Sequence, residues 1–361
     1  MPGWIPQARP NLRLACLTAC VILAPLGIAR GAAPESNKPI LREVARSERQ
    51  WTGVAISEGA RIFAAFPRWS PGVDLSVAQV AFSGEITPYP DAEWNRWEPG
   101  LPPADHFICV QSVFVDDNND LWILDPANPE FKGVVPGGAK LLRVDLKANK
   151  IVQRILFDDT VAPKDSYLND VRVDAKRRLA YITDSGLGAL VVVDLKEGSA
   201  WRVLEGHPST KAEAVTVMVE GREHKNPVNA DGIALSPKGD WLYYQALTGR
   251  TLYRVPTKLL RDPTFPDERI AIMVERVAET GASDGLAMDD RGNLYLTSIE
   301  KNAISRLDPK GNLSVLVDDP ALKWPDSISL TSEGLLFLST SQIHLGPKPP
   351  EPYRIYCVKY K

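Results

Sequence analysis

Apolar and polar residues alternate along this chain in short runs broken by polar turns, and the unit repeats. Six stretches align without gaps over their first halves: TGVAISEGARIFAAF from Thr52, QSVFVDDNNDLWILD from Gln111, NDVRVDAKRRLAYITD from Asn169, DGIALSPKGDWLYYQA from Asp231, DGLAMDDRGNLYLTS from Asp284 and DSISLTSEGLLFLST from Asp326. Each is an alternating strand, a polar turn often holding Gly, and a second strand rich in aromatic and aliphatic residues, which is a hairpin signature. A third strand follows each one: 76–82, 140–146, 189–195, 251–257, 303–309 and 353–360. A fourth follows most of them, as at 150–157 and 199–206. Repeat starts are 59, 58, 62, 53 and 42 residues apart, the spacing of propeller blades with loops. Four-stranded antiparallel blades around a channel are the architecture this pattern predicts.

The last repeat has room for only three strands. The missing outer strand is supplied by ILREVARS (40–47), just before the first repeat. The expected fold is therefore an all-β, six-bladed β-propeller in which an N-terminal strand completes the last blade. That ring also separates Cys109, at the entrance to blade 2, from Cys357, on the third strand of blade 6. Bridged cysteines need Cα atoms within about 7 Å, so two free, buried thiols are predicted.

A hairpin starts and ends on one side, so the starts of all inner strands share a face. The first positions of the six repeats on that face are Thr52, Gln111, Asn169, Asp231, Asp284 and Asp326. Three carboxylates and an amide around one opening suit a hard divalent cation, calcium or magnesium. An Asp before Gly or Ser also serves turns, by binding nearby backbone N–H groups, and both readings stand at this point. The four histidines fall in segments of the same face. His207 and His344 gain a role beside the Asp ring, whereas His106 and His224 read as ordinary loop residues. Arg68 and Trp69 follow the second strand of blade 1 on this side. The long connection 87–107 carries Trp94 and Trp97, which could stack on a flat ligand or pack down on the blade tops.

Residues 1–33 differ in kind. Arg9 and Arg13 precede the apolar run 14–29, and small residues follow at 31–33. This is the pattern of a cleaved signal peptide, leaving a propeller over 34–361 and a secreted or periplasmic location. Leu17-Thr18-Ala19-Cys20 resembles a lipoprotein cleavage box, but the apolar stretch before Cys20 is short. Removing 1–33 takes away three Arg and no acid, moving the net charge from −3 to −6. No basic stripe is present, which excludes a nucleic-acid footprint, and no later segment is apolar for the length of a membrane span. A composition with 44% hydrophobic and 24% charged residues supports a large globular core. The expected partner is a small molecule, and the expected state is a monomer.

FPRWSPG (66–72), PYPDAEWNRW (88–97), YLNDVRVD (167–174), AYITDSG (180–186), ADGIALSP (230–237), YYQALTGRTLYR (243–254), ASDGLAMD (282–289), WPDSISL (324–330) and SQIHLGP (341–347) resemble the bacterial branch of the major royal jelly/Yellow protein family. The resemblance spans essentially all of 34–361. A more distant one is to the gluconolactonase/regucalcin superfamily, six-bladed propellers that hold a divalent metal through a Glu in blade 1, an Asn in blade 3 and an Asp in blade 4. By register those positions are Thr52, Asn169 and Asp231, so the blade 1 carboxylate is missing. The resemblance thus implies a metal held by Asn169 and Asp231; Asp284, or else Asp326, would supply the missing charge from a different blade, and calcium is the expected cofactor. Asp231 and His207 would be catalytic, and Arg68, Trp69, Asp284, Asp326, Gln342 and His344 would contact substrate.

Two functions follow from different classes. One is a small-molecule enzyme: a tautomerase, in which one group removes a proton and another returns it, or a lactonase, in which a metal polarises the carbonyl. The other is a non-catalytic ligand-binding propeller resembling royal jelly proteins.

Overall fold

The computed structural model describes residues 39–361; the leader at 1–33 lies outside them. Six four-stranded antiparallel sheets form. Blade 1 comprises Val54–Ile56, Ile62–Ala65, Val77–Val80 and Ile86–Pro88. Its fourth strand is thus taken from the start of the long connection. Blade 2 runs through Ser112–Val115, Asp120–Asp125, Lys140–Asp145 and Lys150–Leu156. Blade 3 is Leu168–Asp174, Leu179–Asp184, Ala189–Asp194 and Ala200–Val203. Blade 4 is Ala230–Leu235, Trp241–Ala246, Thr251–Pro256 and Glu275–Glu279. Blade 5 is Ser283–Met288, Leu294–Ser298, Ala303–Leu307 and Leu313–Asp318.

Blade 6 takes Pro325–Leu330, Leu335–Thr340 and Tyr353–Lys359 from the end of the chain and Arg42–Ser47 from its beginning. The N-terminal strand pairs antiparallel with the last one, Arg42 opposite Cys357 and Ser47 opposite Tyr353. The expected closure of the ring is what the sheet shows.

The alternating pattern of each strand puts apolar side chains on both faces of a blade, and each face meets its neighbour. The buried apolar residues accordingly form one cluster at each of the six blade interfaces. A seventh lies under a two-stranded hairpin, Val217–Val219 with Arg222–His224, inserted between blades 3 and 4. Cys109 and Cys357 are both free; Cys109 is buried, whereas Cys357 is only half-buried, packed against the apolar cluster between blades 6 and 1.

Four inner strands carry a β-bulge at the same level. Two residues, Asn169-Asp170, Asp231-Gly232, Asp284-Gly285 and Asp326-Ser327, each face one on the second strand: Thr183, Gln245, Thr297 and Ser339. A bulge leaves a ladder N–H unpaired and re-aims side chains. Hydroxyls take up the orphans: Thr183 accepts from the Asp170 N–H (3.2 Å), Thr297 from Asp284 (3.1 Å) and Ser339 from Ser327 (3.1 Å). Thr183 then donates to the Asp231 carbonyl (2.5 Å), and Ser339 donates to that of Thr52. One hydroxyl thus seals a bulge and latches the next blade. Glycine is required beside two ring acids, because a Cβ on Gly232 would stand 2.2 Å from the Asp284 carbonyl oxygen, and one on Gly285 2.4 Å from that of Asp326.

Candidate functional site

The bulges turn Asn169, Asp231, Asp284 and Asp326 into the neck of the channel, as their shared register predicts. All are buried. A chain of hydrogen bonds crosses the neck. Trp69 Nε1 donates to Tyr167 Oη (2.5 Å), Tyr167 to Gln111 Oε1 (3.0 Å), and Gln111 Nε2 to Asn169 Oδ1 (3.3 Å). Asn169 Nδ2 donates to Asp231 Oδ2 (2.7 Å) and to Ser185 Oγ (3.0 Å). Asp231 and Asp284 are hydrogen-bonded to each other, and Trp324 Nε1 donates to Asp284 Oδ2 (2.8 Å).

Two carboxyl groups in direct contact away from water cannot both be ionised. Burial, then the charges of Asp284, Asp170 and Asp326, raises Asp231 well above the usual carboxylate range. Burial also pushes Asp284 up to about 7, against the opposing Trp324 N–H and the bond from Asp231. The pair therefore titrates as a unit, both carboxyls held above the usual range. Burial and the Asp284 charge raise Asp326 as well.

This arrangement does not fit a cation. The amide of Asn169 turns its N–H groups, not its carbonyl, toward Asp231, and its oxygen is occupied by Gln111. The Trp324 N–H occupies one oxygen of Asp284. Thr52 turns its hydroxyl onto the Gln111 carbonyl (3.0 Å), so blade 1 contributes no ligand. Among the described residues no group of three His, Cys, Asp or Glu side chains is placed to hold a metal.

Several residues expected at the site have other work. Every nitrogen of Arg68 donates to a protein oxygen: Nε to Val73, Nη1 to Ser76, Phe107 and Ile108, and Nη2 to Asn95. It clamps the 87–107 connection to blades 1 and 2, with one Nη2 hydrogen beyond these bonds. Trp69 stacks on Phe131 (5.7 Å) and reaches the acids only through the hydrogen-bond chain. His207 is not brought to the acids: its Nδ1 meets Ser209 Oγ (2.7 Å), which meets Tyr244 Oη, and its nearest influential carboxylate is Asp267. The Gln342 amide donates to the Glu351 and Pro352 carbonyls. Trp94 packs on Phe107 and Trp97 on His106.

The strand-start face is roofed. Trp324 is fully buried; His344 stacks on it (5.9 Å, 13° between planes) and His224 meets its edge (5.2 Å). The 217–224 hairpin is tied across blades 5 and 6, with Glu220 bonded to His344 Nε2 (2.9 Å) and to Asn302 (2.9 Å), and the Met218 N–H to Glu300 (3.0 Å). His344 thus supports the roof.

A cavity of about 410 Å³ opens instead on the opposite face, among the turns joining first and second strands, with Asp170 and Arg172 in its lining. Sequence reasoning missed Tyr167, Trp324, Asp170 and Arg172. Tyr167 and Trp324 stand two residues before Asn169 and Asp326, so extending the repeat alignment upstream would have found both.

Six four-stranded blades around a carboxyl-lined neck define a class of six-bladed β-propellers. A gluconolactonase from Xanthomonas campestris has this fold, with a TM-score of 0.56 and 15% identity over 90% of each chain. So does the virginiamycin B lyase of Staphylococcus aureus, with a TM-score of 0.54 and 11% identity over 90% of this chain and all of that one. At such identities the likeness is one of fold. Within the class, the chain belongs to the major royal jelly protein family, whose model matches residues 108–345. It is 26% identical over 228 residues to major royal jelly protein 7 of Apis mellifera (61% of this chain, 50% of that protein). To a Yellow-related salivary protein of Lutzomyia longipalpis it is 27% identical over 233 residues (57% and 56%). The chain spans about half the length of these relatives.

Proposed function

We infer that this protein is an exported small-molecule enzyme that works by proton transfer, a tautomerase rather than a metal-assisted lactonase. The observation that carries the reading is the buried Asp231–Asp284 pair, tied in by Asn169 and Trp324, in which burial and mutual proximity raise both carboxyls, Asp284 to about 7. A buried acid–base pair of this kind can give a proton to one atom of a flat, enolisable carbonyl compound and take one from another. Asn169 and Trp324 orient the two groups. Export is supported by the leader-like pattern of 1–33 and by salivary relatives.

The second reading, a ligand-binding protein, is favoured by the roof of Trp324 and the hairpin over the acids. Ketonisation of a small aryl enol, followed by ultraviolet absorbance, separates the two. Asp284→Asn should lower kcat by about a hundredfold or more and remove the titration near pH 7 from the rate profile. An unchanged rate would leave the binding reading. Activity appearing only with added calcium would restore the metal-dependent lactonase.

A further inference from the structure

We propose that the cavity on the turn face is a binding site of its own, for a flat uncharged molecule with an adjacent acceptor and donor, a cyclic amide or imide, read by Arg172 and Asp170. The proposal stands whether or not the acids above it turn over a substrate.

Arg172 is a crossbar. From the inner strand of blade 3 it reaches past blade 4 to the Leu286 carbonyl of blade 5 (Nη2, 2.6 Å), while Nη1 donates to the Val171 carbonyl (2.6 Å). Its guanidinium lies over the Phe114 ring of blade 2, 5.2 Å from the centroid. The crossbar marks off the neck acids from the cavity beneath. Asp170 stands in a position that the other blades fill with Gly53, Ser112, Gly232, Gly285 or Ser327, and it is the one acid of that set. Its Oδ1 accepts from Ser112 Oγ (2.8 Å), whereas Oδ2 has only a long 3.5 Å contact with Arg172 Nη2.

Both side chains are only 10% exposed, so the groups spared by the protein are largely enclosed hydrogen-bonding positions that a ligand in the cavity would meet. Among the described residues, the Nε–H of Arg172 and the second hydrogen on Nη1 have no partner, and Asp170 Oδ2 has no short one. These groups belong to residues lining the cavity. A guanidinium N–H beside a carboxylate oxygen offers a donor and an acceptor together, the complement of an amide edge. A carboxylate ligand would satisfy Arg172 but press on Asp170 and the acids beyond it. An ammonium ligand would satisfy Asp170 but face the guanidinium. An uncharged acceptor–donor edge satisfies both. The apolar lining from Val54, Val113 and Ile328 suits a flat ring, and about 410 Å³ holds a molecule of one or two rings.

The test is isothermal titration calorimetry of the full chain with 2-pyridone, N-methyl-2-pyridone, benzoate and benzylamine. 2-Pyridone should bind with unit stoichiometry. N-methylation, which removes the donor, should weaken it by about tenfold or more, with benzoate and benzylamine weaker still. Arg172→Lys, which keeps the charge but not the forked geometry, and Asp170→Asn should each cut 2-pyridone affinity about tenfold, with thermal melts confirming that both fold. No binding by 2-pyridone, equal binding by Arg172→Lys, or a loss seen only in Asp231→Asn would overturn the proposal, the last by placing the ligand at the neck.

Discussion

Thr183 shows how much one hydroxyl carries in this fold. It accepts the N–H left over by the Asn169-Asp170 bulge and donates to the Asp231 carbonyl of the next blade. Thr183→Val keeps the shape and removes both bonds, leaving a buried donor and a buried acceptor unmet. The expected cost is about 2–4 kcal/mol, read as a lower urea midpoint with unchanged slope, and no loss of stability would refute the latch. The residue types at the neck were legible in the sequence because six aligned positions converge on one ring whatever the loops do. The partners of long side chains were not. Arg68 follows a strand end on the face expected to hold the site, yet all three of its nitrogens are engaged by oxygens of residues 73–108, brought together only by the fold.

Among the elements, the blade strands announce themselves through period-two alternation, and even the borrowed strand at 42–47 could be assigned by counting what the last blade lacked. The roof could not. VTVMVEGREH, from Val215, has two short strands around Glu-Gly, but it sits inside a connection where no strand of the repeat is due. Its long-range ties to Asn302 and His344 have no sequence signature. These few polar links hold the hairpin over blades 5 and 6, so Glu220→Ala should speed amide hydrogen exchange of 217–224 several-fold while the blade strands stay protected. Uniform protection in the variant would show that the apolar contact with Trp324 alone suffices.

On the scale of the whole molecule, the core is a set of six slabs between blades, and the neck acids sit where the slabs leave a gap. Their protonation is coupled to folding. A carboxyl that ionises near pH 4 in the unfolded chain, but near 7 in the case of Asp284, binds more protons in the native state over that interval. The stability it contributes is complete below about pH 4 and is lost as pH rises through 7. Thermal stability should therefore be lower at pH 8 than at pH 5, by on the order of 2 kcal/mol or more. Asp284→Asn should flatten the dependence; the same slope in that variant would assign it to other groups.

The sheet that unites Arg42–Ser47 with Tyr353–Lys359 sets an order of events in time. The strand synthesised first among those described has to wait, unpaired, for the one synthesised last. The circle therefore cannot close until Tyr353–Lys359 has been made, and its emergence is the earliest moment at which the native neck can exist.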